Sequence, residues 1–241
     1  MKTRLLIPAL LFAIPFCANA QSSDDDETNS NHNMTTKVVD MYNTEFQWDE
    51  FKEKTGKAIV KGNYIELEAK KGTVSTCTEL PINMEKDIFT VRLYMEADQL
   101  DNEGYVGFVF DKDDADNYKM FTLTKKSYEV SYVKDGKTTP KHKGMYKFFP
   151  YKPDLDKDEN ISRFSNGNAP TIQLPGSKKI LVLKISRRGN ALSFNINGID
   201  LYNIKNIGLN SPVFGYVASE GHQLRGYGLI FSRIQLTETD N

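Results

Sequence analysis

The chain has 241 residues, of which 39% are hydrophobic, and its 31 basic and 32 acidic side chains give a net charge of −1. Such a balance gives no electrostatic footprint for nucleic acid, which would require a basic face rather than interspersed signs, so no nucleic-acid partner is expected. No run after Ala20 approaches the ~20 apolar residues of a transmembrane helix, so membrane contact is expected only through the N-terminus.

Lys2 and Arg4 precede an apolar run from Leu5 to Phe16, and Ala18-Asn19-Ala20 follows with the small residues of a secretory cleavage site. Residues 1–20 are therefore expected to be a signal peptide cleaved after Ala20, for a protein that is secreted, periplasmic or at the cell surface. A lipid anchor at Cys17 is the alternative, although Pro15 and Phe16 stand where small residues are expected. Cleavage removes Lys2, Arg4 and Cys17, leaving 29 basic and 32 acidic side chains and Cys77 as the one thiol, so no intramolecular disulfide is available. Residues 21–36 (QSSDDDETNSNHNMTT) hold too little apolar surface to offset the entropy of ordering them and read as a flexible acidic leader. The folded domain is expected over residues 37–241.

From there period-two alternation dominates. Phe89, Val91, Leu93 and Met95 alternate with Thr90, Arg92, Tyr94 and Glu96, and Leu192, Phe194 and Ile196 alternate with Ser193, Asn195 and Asn197. Leu181, Leu183 and Ile185 repeat the pattern, and further strands are predicted at Tyr64–Ala69, Tyr105–Phe110, Tyr118–Thr124, Tyr128–Val133, Val213–Ala218 and Tyr227–Leu236. Gly62-Asn63, Asp135-Gly136, Gly189-Asn190 and Asn197-Gly198 lie between them, pairs suited to the positive φ of tight hairpins. A helical turn is expected only around Trp48–Lys54. Many short strands without intervening helices predict an all-β fold, a two-sheet antiparallel β-sandwich of the jelly-roll type. From Lys141 to Gly176 the rhythm breaks into a long polar stretch with interspersed aromatics, a length of connection that is usually functional when ordered.

Four stretches carry a resemblance: FQWDEFKEKTGKAIVKGNYIELEAKKG, FTVRLYMEADQLDNEGYVGFVFDKDDADNYKMFTL, KKILVLKISRRGNALSFNINGIDLY and GYGLIFSRIQL. Together, over Val38 to Glu238, they resemble the concanavalin A-like lectin/glucanase superfamily and its laminin G-like jelly rolls. That resemblance implies the fold; lectins, glycan hydrolases and lyases share it, so function has to be argued from a site. A more distant likeness to 3-keto-disaccharide hydrolase-like domains places Asn102-Glu103-Gly104 on that family's Asn-Ser-Gly stretch, with the serine missing.

Glycosidases of the superfamily carry acids on one strand as Glu-x-Asp-x-x-Glu, dividing nucleophile and acid roles. Glu96 and Asp98 are the nearest counterparts, with Asp101 in place of the final Glu, and a solvated loop is the better reading of the stretch. Asp154, Asp156, Asp158 and Asn160 place oxygens at the alternate spacing of a calcium loop, with Glu159 in place of the turn glycine. Asp111, Asp113, Asp114, Asp116 and Asn117 read as a polar hairpin connection. Sugar recognition combines a ring face with amides and carboxylates, which Tyr146 and Tyr151 with Asn166 and Asn168 would supply, whereas Phe148 and Phe149 read as a loop anchor. Trp48 is expected in the core and Cys77 as a buried, inert thiol. His32, His142 and His222 form no zinc-binding pair. The leading expectation is a non-catalytic module whose partner is a glycan, with a glycan hydrolase or lyase as the enzymatic alternative and a structural or protein-interaction domain as the third. No cofactor is expected beyond calcium.

Overall fold

A computed structural model describes residues 33–98, 100–150, 171–174 and 180–235. Among them there is no helix, and the strands form two antiparallel sheets and one small pair. The larger sheet has nine strands. Its main path runs from β15 (Ile199–Lys205) through β14 (Ala191–Ile196), β13 (Ile180–Arg188), β6 (Ile88–Asp98), β17 (Gln223–Gln235), β4 (Tyr64–Ala69) and β3 (Gly56–Lys61) to β2 (Phe51–Lys52). β1 (Asn33–Val39) joins β17 beyond the point where β4 ends. The second sheet has six strands in the order β10 (Lys137–Met145), β9 (Ser127–Lys134), β8 (Tyr118–Leu123), β7 (Val106–Phe110), β16 (Val213–Ser219) and β5 (Thr73–Glu79). β11 (Lys147–Pro150) and β12 (Thr171–Leu174) form a parallel pair.

Alternation explains the layers. Val106, Phe108 and Phe110 of β7, Phe214 and Tyr216 of β16, and Val91, Leu93 and Met95 of β6 belong to one buried cluster. Ring pairs tie the sheets across it: Phe194 of β14 lies 5.1 Å from Phe121 and 5.8 Å from Phe110, and Phe89 of β6 lies 5.9 Å from Phe214. Each fully buried ring contributes about 1.5–3 kcal/mol by leaving water, and this core rather than a disulfide holds the sandwich. Trp48 joins it as expected, stacked 5.1 Å from Tyr216.

Two local expectations change. Trp48–Lys54 contains no helical turn; Phe51 and Lys52 pair with Ala58 and Lys57 as a short edge strand. The Lys141–Gly176 stretch does not begin as a loop: Lys141–Met145 completes β10, pairing with β9 after a register shift between Pro140 and His142. Both segments are polar on one face because they lie at sheet edges, where one side meets water.

Candidate functional site

Of the residues singled out from the sequence, Glu96, Asp101 and Tyr146 are described with their side chains, and each has its own set of partners. Glu96 lies on the outer face of the nine-stranded sheet, where it accepts from the Tyr227 hydroxyl at 2.8 Å and lies 3.6 Å from Arg225. The side chain of Asp98 lies outside the described residues. Asp101 is in the following loop, accepting from the amides of Glu103 and Gly104 at 2.8 Å each and from His222 at 3.1 Å. This is a loop clasp.

Tyr146 is corrected. It is 2% exposed, and its hydroxyl donates to the Thr124 carbonyl, so it anchors the start of β11 to the β8–β9 turn and offers no ring to solvent. Tyr151, Asn166 and Asn168, and the calcium candidates Asp154, Asp156, Asp158 and Asn160, lie outside the described residues, as do the side chains of Phe148 and Phe149.

The structure brings a different group together at one end of the six-stranded sheet. β8 and β9 pair with Lys119 opposite Tyr132 and Tyr118 opposite Val133. The β7–β8 connection and the segment 207–212 close over that end, forming a cleft of about 240 Å³ lined by Asp113, Asn117, Tyr118, Tyr132, Lys134 and Asn210, with Asp111 and Lys119 also contributing. Drug-sized sites run to roughly 300–1,000 Å³, so this one is small and does not engulf a large ligand.

Asp111 positions the cleft. It sits at φ 52°, is 2% exposed, and one carboxylate oxygen accepts from the amides of Asn210 (2.6 Å) and Ser211 (2.8 Å). Its other oxygen pairs with the Lys119 ammonium. A buried carboxylate is tolerated because its charge is matched and its lone pairs are used, and the result fixes residues nearly a hundred apart in sequence. The ammonium of Lys119 lies 5.3 Å and that of Lys141 4.9 Å from the Tyr132 ring centroid, within cation–π range. Burial pushes the Tyr118 and Tyr132 phenols up to about 12, so both remain neutral donors. The acids of the β7–β8 connection build a turn: Asp114 accepts from the Asn117 amide at 3.0 Å and from the Asp116 backbone at 2.7 Å. That is the polar connection read from the sequence, and Asp113 and Asn117 of it also face the cleft.

Tyr118 links this cleft to the outer face of the same sheet. There Val109, Met120, Val217 and Cys77 form a second apolar cluster against which Tyr105 and Tyr118 pack half-exposed. Lys112 reaches over it to donate to Ser75 at 3.1 Å, and the Tyr105 and Thr73 hydroxyls share a hydrogen bond of 2.7 Å. Burial raises the Cys77 thiol to about 11, which makes it an unreactive part of this cluster.

Tyr118, Tyr132 and Asn210 were missed as site residues because each reads as an ordinary strand or turn position. A signal was present in the Asp-rich turn directly before an aromatic hairpin, yet the participation of Asn210 depends on packing that no local pattern encodes.

No family model matches the chain, and no curated protein matches it. Among solved structures, the carbohydrate-binding module CBM66 from Bacillus subtilis superposes with a TM-score of 0.51 at 9% identity, covering 76% of this chain and 92% of that one. A protein of unknown function with a galectin-like fold from Bacillus subtilis gives 0.47 at 9% identity, over 84% and 100%. The exoplasmic/lumenal domain of VIP36, in a Ca²⁺/Man3GlcNAc-bound form, gives 0.46 at 9%, over 86% and 91%. The jelly roll expected from the concanavalin A-like resemblance is therefore the fold of this chain; at such identity the likeness shows fold alone.

Proposed function

We propose that the protein binds a glycan at the Tyr118–Tyr132 cleft without catalysing its cleavage, as an exported protein whose residues 1–20 direct secretion or, with Cys17 lipidated, surface attachment. The observation that carries this reading is the composition of the cleft. Tyr132, beside Lys119 on one face of the β8–β9 pair, and Tyr118, beside Val133 on the other, both line it with the carboxylate of Asp113, the amides of Asn117 and Asn210 and the ammonium of Lys134, and a tyrosine ring packs against the apolar face of a sugar. Such groups bind hydroxyls in both donor and acceptor roles.

Non-catalytic binding is favoured by the state of the acids. Glycoside hydrolysis needs two available carboxyl groups across the bond, and of the two acids at the cleft Asp111 is committed to Asn210, Ser211 and Lys119. Glu96 is engaged on the opposite sheet. Calcium at Asp154, Asp156, Asp158 and Asn160 stays a proposal supported by their spacing.

A glycan array read with the wild type, Tyr132→Ala and Asp113→Ala tests the proposal. Each variant is expected to lose about tenfold or more in affinity, or ~1.4 kcal/mol, with cooperative unfolding retained. Absence of any glycan ligand, or full binding by both variants, would overturn it.

A further inference from the structure

Charge is unevenly distributed along this chain. Between Lys125 and Lys147 there are seven lysines and two acids, Glu129 and Asp135, whereas the rest of the sequence has 24 basic and 30 acidic side chains. That stretch is the β9–β10 hairpin with its flanks, and β10 is the edge of the six-stranded sheet. The near-neutral total thus hides a basic edge.

Lys134, Lys137, Lys141 and Lys143 are all exposed, and none forms an ion pair with a described residue. On the nine-stranded sheet Lys57 lies 2.6 Å from Glu66 and 2.9 Å from Glu68, and Lys61 lies 2.6 Å from Glu66, whereas Lys52 and Lys205 are exposed without an ion pair to a described residue. Lysines on an edge strand commonly serve to prevent strand-to-strand association. Here Pro140 and the register shift beside it already interrupt the edge, and that role does not account for where the charges converge. Lys134 lines the cleft, and Lys141 stands over the ring of Tyr132. Lys143 stands opposite Glu129, on the other face of the hairpin from Tyr132, and Lys112 donates to Ser75 on that outer face.

We propose, resting on the carbohydrate reading above, that the glycan is an anionic polysaccharide. Its sugar ring occupies the Tyr118–Tyr132 cleft, and the carboxylate or sulfate groups of neighbouring units lie along the lysines of β10. Unpaired ammonium groups beside an aromatic subsite give both charge attraction and ring packing, a combination a neutral glycan would use only in part.

Affinity electrophoresis of the full chain through polygalacturonate, its methyl-esterified form, dextran sulfate and unmodified dextran tests this. Retention is expected on polygalacturonate or dextran sulfate, which separates carboxylate from sulfate recognition. It should weaken about tenfold between roughly 50 and 300 mM salt, as screening shortens the reach of the charges. The triple variant Lys137→Glu, Lys141→Glu, Lys143→Glu should lose about tenfold or more of the affinity, while Lys52→Glu with Lys54→Glu, on the other sheet's edge, leaves it unchanged. Tyr132→Ala should weaken retention as well, separating ring packing from charge alone. Equal retention on charged and neutral forms, or an undiminished triple variant, would overturn the anionic assignment while leaving carbohydrate binding intact. Retention on none of the four, with an empty glycan array, would remove both. Retention by duplex DNA as strong as by the polysaccharides, and insensitive to Tyr132→Ala, would show a nonspecific basic edge and also overturn the assignment.

Discussion

The Tyr216 hydroxyl fills a break in the hydrogen-bond ladder of β17. Register shifts between Gly226 and Leu229, and Gly228 takes φ 100°, where a Cβ would stand 2.3 Å from the Val39 carbonyl oxygen. The Gly228 amide, displaced from the ladder, donates to the Tyr216 oxygen at 2.8 Å, and that hydroxyl points its own hydrogen between the carbonyls of Tyr94 (2.9 Å) and Gly228 (2.8 Å). Tyr216→Phe leaves the buried amide without its acceptor and should cost about 1–3 kcal/mol. Urea denaturation checks this: the midpoint should fall with the slope unchanged, and an unaltered midpoint would show that the amide finds another partner. From sequence Tyr216 is one more alternating apolar position; its polar task follows from a bulge on a strand of the other sheet.

Among the elements, the β9–β10 hairpin matters most because it carries both Tyr132 and the lysines. Its turn residues Asp135 and Gly136 have φ 49° and 72°, the pairing of a type I′ turn. A side chain at Gly136 would be strained at that φ and would also meet Asp116 Oδ1 at 3.3 Å. Gly136→Val is expected to destabilise by about 1–2 kcal/mol and to weaken glycan binding with it, measured by thermal unfolding alongside affinity; unchanged values for both would separate the hairpin from the site. The loop after β6 responds to acid. Hydrogen bonds from Gly104 and Glu103 hold the Asp101 carboxyl below its ordinary value of 3.8. Because the folded value is the lower one, the clasp is fully in place above about that pH and is lost as pH falls through the depressed value. Amide hydrogen exchange at Glu103 and Gly104 should therefore accelerate at the acid end while that of β7 does not. The strands and most turns were legible in the sequence because alternation and Asp-Gly or Asn-Gly pairs act locally. Trp48–Lys54 and the start of the Lys141–Gly176 stretch were misread because edge strands bury too little to show the pattern.

At the scale of the molecule, the larger sheet pairs charges at Lys57, Glu66 and Glu68, whereas the smaller one brings Tyr118, Tyr132, a committed Asp111 and Lys134 to one cleft and carries exposed lysines along β10. Fold class was readable from the sequence because it depends on the sum of many local patterns. The cleft was not, since it depends on which strand ends meet: β8 with β9, and both with Asn210. Titrating isotopically labelled protein with the best-retained oligosaccharide and following backbone amides by NMR tests the central claim most directly. Shifts should concentrate at residues 111–119, 131–141 and 208–212. Shifts centred instead on the nine-stranded face around Glu96, Arg225 and Tyr227 would contradict the account.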